Sequence, residues 1–255
     1  MKISVVTLFP NMIKGFFNES IVKKAQEKKL VEIEIINLRD FAVDKYKSVD
    51  DRPYGGGAGM IMRIDIIYSA LSKFKVESSK LKVQKILTSP KGKQFDQQTA
   101  VRYSKLKHLI IIAGHYEGVD QRVMNHIDEE VSIGDFIMTG GEIAAAAIVD
   151  SIVRLLPGVL KKEPATVIES FFKVKLDNLI QAVGEDKYLK ALREKGIKLV
   201  QLLEYPQYTR PEKFMGIKVP KVLLSGNHKE IDKWRLRMAY KETLKKRKDL
   251  LYPSK

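Results

Sequence analysis

The chain is 255 residues long, carries a formal net charge of +15 and contains no cysteine. An apolar fraction of 44% with 30% charged residues suits a globular protein of one large or two modest domains and argues against a wholly disordered chain. The composition excludes disulfides, thiolate metal sites and cysteine nucleophiles. His108, His115, His126 and His228 never approach zinc-site spacing, and no apolar run reaches membrane-spanning length.

In chain order, residues 3–8 read as a short buried strand rather than a signal peptide, because one Lys and a brief apolar stretch are followed by no small-residue cleavage site. A cytosolic protein is therefore expected. Pro10 opens a helix in which Met12, Phe16, Phe17, Ile21 and Val22 keep roughly helical spacing. Residues 31–38 form a second strand, and residues 44–60, polar and then glycine-rich, a long loop of the kind that often carries function. A helix over 64–74, a strand over 83–88 and a helix capped by Asp96 follow. Residues 108–113 (HLIIIA) are a continuous apolar run typical of a parallel strand buried on both faces. Residues 131–138 suggest another strand. Residues 142–156 suggest a strong helix stopped by Pro157 and Gly158. Strand and helix in alternation predict an α/β fold with a parallel sheet.

The last third differs. Residues 161–255 carry a net +11 against +4 for residues 1–160, an electrostatic footprint of nucleic-acid binding. Leu176, Leu179, Ile180, Val183, Leu189 and Leu192 keep helical spacing with one slip near Gly184. Residues 205–211 (YPQYTRP) read as extended. Residues 228–249 read as a basic helix with Ile231, Trp234 and Met238 as its apolar stripe, from which Tyr240 and Leu244 fall off. The division expected is 1–160, a linker over 161–202 holding a helical segment, and a small basic helical domain over 203–255.

Glycines cluster at 55–59, at Gly114 and Gly118, at Gly134, and at Gly140 and Gly141. Neither the Walker lysine motif nor a dinucleotide fingerprint is present. Taken singly each glycine marks a tight turn. Taken together, three clusters fall at the C-terminal ends of strands, where open α/β sheets bind ligands. Glu117, Asp120 and Asp135 lie in those loops, and Asp120 alone reads best as a helix cap.

The stretches LTSPKGK (87–93), GHYEGVDQRV (114–123), EEVSIGDFIMTGGE (129–142), DDRPYGGGAGM (50–60) and YPQYTRP (205–211) together resemble the bacterial tRNA (guanine-N1)-methyltransferases, the TrmD family of the SPOUT superfamily. The similarity runs from residue 1 to about 170 and again from about 203 to 250. It implies a knotted parallel sheet flanked by helices, followed by a small helical C-terminal domain. The activity implied is methyl transfer from S-adenosylmethionine to N1 of the guanine just 3′ of the tRNA anticodon. A homodimer with sites shared between subunits, and participation of Mg²⁺, are implied as well.

Carried over by motif, the cofactor pocket comprises three loops: Leu87, Thr88, Ser89 and Pro90; Gly114, Tyr116, Glu117 and Gly118; and Ser132, Ile133, Gly134, Asp135, Phe136, Ile137, Met138, Gly140 and Gly141. Arg154 matches the family's guanine-contacting arginine, and its ordinary reading is a helix-surface pair with Asp150. Glu169 stands where the family has its proposed aspartate base. His115 replaces an arginine, Ala144 replaces a proline, and most of residues 173–202 look inserted into a linker that is short in the family. Those departures leave two other readings open: a tRNA-binding homologue with impaired catalysis, and a SPOUT methyltransferase acting on another RNA.

Overall fold

The computed structural model describes residues 1–74, 82–160 and 169–252. The chain divides into two compact units, Met1–Lys161 and Lys162–Lys255.

In the first unit, β1 (Lys2–Thr7), β2 (Glu32–Asn37), β5 (Val83–Gln94), β6 (His108–Ala113) and β7 (Glu129–Ser132) form a parallel sheet in the order β2-β1-β6-β5-β7. Residue alternation along β6 explains its unbroken apolar run. Leu109 and Ile111 point into the layer with α1 (Pro10–Phe17), α2 (Ser20–Glu27) and α5 (Glu142–Val153). Ile110 and Ile112 point into the opposite layer with α3 (Ile64–Ser72). All four are fully buried, and each such side chain contributes about 1.5–3 kcal/mol by leaving water. The helix expected after Pro10 is two helices, because the chain turns at Asn18 and Glu19 and Ser20 takes a positive φ of 50°. Ile13, Phe17 and Val22 face inward, while Met12, Phe16 and Ile21 are exposed.

At the sheet edge, α4 (Gln97–Tyr103) begins as expected at Asp96, whose carboxylate accepts from the Thr99 N–H at 2.8 Å. A polar knot ties α4 to β7. Glu129 accepts from Arg102 (2.8 Å), from the Tyr103 hydroxyl (2.8 Å) and from Gln84 of β5 (2.9 Å). Burial works against the charged carboxylate, but these donors outweigh it and hold Glu129 below the ordinary glutamate range; burial and the same carboxylate push the Tyr103 hydroxyl up.

β5 carries the feature on which the site depends. It pairs with β7 through residues 86–88, leaves the ladder, and rejoins it at Lys93 and Gln94. Residues 89–92 therefore bulge from the sheet. β7 is shorter than the strand expected over 131–138. The Ser132 hydroxyl closes a local turn with the N–H and C=O of Gly134, whose φ is +153°. Beyond Ser132 the apolar side chains of Phe136, Ile137 and Met138 are exposed. The long 44–60 loop is interrupted by β3 (Asp50–Asp51), which pairs with β4 (Ile61–Met62) and closes the glycine-rich part between them.

The second unit has its own core. β8 (Phe172–Lys175) pairs antiparallel with β9 (Leu199–Leu202), enclosing α6 (Leu176–Val183) and α7 (Lys187–Glu194). A two-residue pair, β10 (Lys213–Phe214) with β11 (Ile217–Lys218), precedes α8 (His228–Lys246). Leu176, Leu179, Leu189, Leu192, Val200 and Leu202 bury against Ala239 and Tyr240. Residues 172–202 thus share one core with α8. Gly184 terminates α6 where the periodicity slips. Tyr240 lies inside the core and Leu244 packs against it, because the buried face of α8 rotates away from Trp234 toward Ala239, Tyr240 and Thr243. The Tyr240 hydroxyl donates to Asp186, which also caps α7.

Two outcomes follow. Leu189→Ala should cost about 2–5 kcal/mol, read as a lower denaturant midpoint of the second unit. Glu129 has a depressed native pKa, so its stabilisation is complete above the ordinary glutamate value of 4.5 and is lost as pH falls through the lower native value. Glu129→Gln should therefore flatten the acid limb of the melting-temperature profile below about pH 5.

Candidate functional site

The loops after β6 and β7 meet the β5 bulge in one cleft of about 260 Å³ within the first unit. Sixteen of the residues carried over as cofactor-binding line it: Leu87, Thr88, Ser89 and Pro90; Gly114, Tyr116, Glu117 and Gly118; Ser132, Ile133, Gly134, Phe136, Ile137, Met138, Gly140 and Gly141. Asp135 is exposed and not among the lining residues.

What brings the loops together is close backbone contact at the floor. The Gly141 N–H donates to the Gly114 carbonyl at 2.6 Å, and His115 forms a bridge with Gly140. The buried Thr88 hydroxyl donates to the Ile112 carbonyl (3.2 Å) and accepts from the Gly114 N–H (3.3 Å). A Cβ on Gly141 would overlap the Thr88 hydroxyl and press the Gly114 nitrogen, and one on Gly140 would overlap His115 and Glu142. Glycine is required at these two positions for space, since neither has a positive φ. On the opposite rim the 60–62 segment runs beside residues 117–120. Glu117 N–H donates to the Met60 carbonyl (3.1 Å), Met62 N–H to Gly118 (3.0 Å), and Asp120 N–H to Met62 (3.0 Å). Tyr116 holds a positive φ of 56° between these anchored neighbours, a conformation that costs energy for a non-glycine residue and is kept by its surroundings.

Asp120 is a cap. Its carboxylate accepts from the Arg122 N–H at 2.9 Å and pairs with the Arg122 guanidinium, which holds it below the ordinary aspartate range. Also lining the cleft are His115 and Ala144, two of the positions that depart from the family pattern, and, beyond the residues singled out from sequence, Lys91, Val119, Gln121, Met124, Glu130, Val131 and Thr139. Gln121 and Met124 lie on the short 3-10 turn Gln121–His126. The GHYEGVDQRV stretch already covered Gln121, and only the turn reveals Met124.

Arg154 caps the C-terminal end of α5, donating its N–H to the Asp150 carbonyl at 3.3 Å, and is partly buried. It does not line the cleft. α5 starts at Glu142, beside the floor glycines, and at 1.5 Å rise per residue it separates Gly141 from Arg154 by about 20 Å. Glu169 belongs to the second unit, is partly buried, and its carbonyl accepts from the Phe172 N–H at 3.0 Å. The tyrosines of YPQYTRP pack onto α8: Tyr205 lies under the Arg235 guanidinium (5.1 Å) and Tyr208 beside Trp234 (6.2 Å). Among the described residues no group of three or more His, Asp or Glu is placed to hold a metal ion, and no helix is long and apolar enough to cross a membrane.

A cleft with a glycine floor and apolar walls at Leu87, Ile133, Ile137 and Met138 suits a ligand with a flat heterocycle. Comparison with known proteins gives this shape a family. The family model described as tRNA (Guanine-1)-methyltransferase TrmD matches residues 1–253. A tRNA (guanine-N(1)-)-methyltransferase of Dictyoglomus turgidum is 49% identical over 251 residues, covering 98% of this chain and 90% of the relative. Relatives of the same name from Clostridium botulinum (strain Eklund 17B) and Carboxydothermus hydrogenoformans are 50% and 47% identical, each over 98% of this chain and over 92% and 87% of their own lengths. With the whole-length match and near-half identity to these relatives, the chain belongs to the TrmD tRNA (guanine-1)-methyltransferase family.

Proposed function

We propose that this protein transfers a methyl group from S-adenosylmethionine to N1 of the guanine immediately 3′ of the tRNA anticodon. The observation that carries the reading is the single cleft in which three loops meet over glycines that admit no side chain. The residues present fit the donor: the 87–90, 114–118 and 132–138 stretches would hold it, with Leu87, Ile133, Ile137 and Met138 as the apolar wall available to its flat base. Bound there, the donor supplies a methyl carbon made electrophilic by its sulfonium.

Guanine N1 carries a proton and is a poor nucleophile. The Glu169 carboxylate takes that proton as the N1–H bond breaks, and the Arg154 guanidinium stabilises the negative charge that moves onto O6. Within one chain α5 holds Arg154 about 20 Å from the cleft floor. That length supports a homodimer in which the arginine of one subunit serves the cleft of its partner. The exposed Met12, Phe16 and Ile21 of the α1–α2 face offer apolar surface for such an association. The knotted path and a cytoplasmic location belong to the same reading. So does Mg²⁺, a hard ion that takes oxygen ligands and keeps several waters; Glu117 and Glu130 are the carboxylates lining the cleft.

The +11 charge of residues 161–255 supports tRNA as the partner. Lys187 and Lys248 flank the Tyr188 ring at 5.1 and 4.1 Å, and the Lys248 ammonium holds the Tyr188 hydroxyl below its ordinary range. A basic surface of this kind binds phosphates with an affinity that falls as salt rises.

Three measurements test the proposal. Methyl incorporation into tRNA transcripts whose anticodon ends in G and is followed by G should fall by at least about 10²-fold in Glu169→Gln and in Arg154→Ala, while calorimetric donor binding persists. Salt-dependent tRNA binding with no donor binding and no transfer by the folded protein would instead indicate an RNA-binding homologue without the chemistry; transfer to another RNA alone would redirect the substrate. Gly141→Ala should abolish donor binding through the overlap with Thr88. Mixing inactive Arg154→Ala and Gly141→Ala chains should restore activity, because the mixed dimer regains one intact composite site. No recovery would contradict the sharing of sites.

A further inference from the structure

From the wall of the cleft at His115 a line of polar side chains that the transfer chemistry does not use runs inward. Glu142, first residue of α5, is completely buried. The Thr7 hydroxyl donates to its Oε1 at 2.8 Å and accepts from the Phe9 N–H at 2.9 Å. Its Oε2 lies 3.4 Å from His115 Nδ1. A buried carboxylate needs a partner on each oxygen. The start of α5 adds the positive end of the helix dipole, and the remaining demand falls on the His115 ring. That ring is itself nearly enclosed, at 14% side-chain exposure. It sits 4.7 Å from the Phe9 ring and edge-on to Tyr116 at 4.9 Å, while the His115 N–H points to the Met62 sulfur at 3.2 Å.

The contact matters for where its ends are. His115 belongs to the loop after β6, and Glu142 directly follows the loop that ends in Gly140 and Gly141. The backbone bond from Gly141 to Gly114 joins the same two loops, and Gly140 is packed against both the His115 ring and the Glu142 carboxylate. The His115–Glu142 contact is therefore a side-chain clasp across the floor of the cleft, anchored through Glu142 to Thr7 at the end of β1.

We propose that His115 is a positioning residue: donating from Nδ1 into the buried Glu142 carboxylate, it holds the second loop against the third and sets the affinity of the cleft for its donor. This rests on reading the cleft as the S-adenosylmethionine site. The alternative is that the imidazole merely fills space between Phe9 and Tyr116.

Two substitutions separate the roles. His115→Phe keeps a ring of similar size and removes the donor. His115→Asn loses the ring but presents a side-chain N–H at nearly the reach of Nδ1. Titrating S-adenosylmethionine into each folded variant by calorimetry, with transfer kinetics alongside, should show His115→Phe weakened by about tenfold and His115→Asn within about threefold of wild type. In a Glu142→Gln background the difference between the two should shrink. His115→Phe binding as wild type does, or His115→Asn no better than His115→Phe, overturns the proposal. Nitrogen-15 NMR of the wild-type protein gives a readout that needs no substitution to fold. With four histidines in the chain, the His115 signals are tractable, and the proposal requires a protonated Nδ1; an unprotonated Nδ1 overturns it. Should the wild type bind no S-adenosylmethionine at all, the reading of the cleft itself falls and this proposal with it. If the wild type binds and the variants bind equally, the positioning role alone falls.

Discussion

The contact between Gly141 and Gly114 is the constraint around which the first unit is organised. A 2.6 Å backbone hydrogen bond with the Thr88 hydroxyl beside it leaves no room for a Cβ. Because Thr88 ends the regular part of β5, Gly114 follows β6, and Gly141 leads into α5, this one meeting point fixes three loops at once. Around it the sheet supplies rigidity through strands buried on both faces, and α5 starts within one residue of the floor. A site assembled from loops gains its precision from the elements that hold them, and here those elements converge.

The chain divides into two units of different character. The first unit carries the cleft and an enclosed core on each face of its sheet. The second carries most of the positive charge and an independent core built from α6, α7, the β8–β9 pair and α8. In the proposed function, donor binding falls to a pocket with few charges on its walls and polyanion binding to the basic residues of the second unit. The length of α5, about 20 Å, sets its terminal arginine apart from its own chain's cleft floor, and in the function proposed above it is a second subunit that would bring an arginine to that cleft.

Much of this was legible in the sequence because strong periodicities reflect burial. The HLIIIA run could only be a strand covered on both sides, and Asp96 and Asp120 acted as the caps their positions suggested. The glycine clusters pointed to one crevice, and the cleft gathers three of them. The misreadings have physical causes. Residues 133–138 are as apolar as a strand, but Gly134 and the Ser132 turn direct them out of the sheet, so hydrophobicity there reflects the cleft wall and not the core. Residues 173–202 read as an insertion within a linker over 161–202 because the antiparallel pairing between β8 and β9 spans more than twenty intervening residues, beyond what local periodicity reports. Tyr240 left the apparent stripe of α8 because tertiary packing, not helical spacing from Ile231, chose the buried face. The role of His115 beside Glu142 was invisible for the same reason: the partners are 27 residues apart and meet only when two loops close.

The place where the methyl donor binds is the most direct test of the proposed function. A crystal structure of the protein soaked with S-adenosylhomocysteine, the demethylated donor, should show the ligand in the first-unit cleft, its base against Leu87, Ile133 and Ile137 and its polar edges on backbone groups of the 114–118 and 132–138 stretches. Density for the ligand on any other surface, with the cleft left empty, would contradict it.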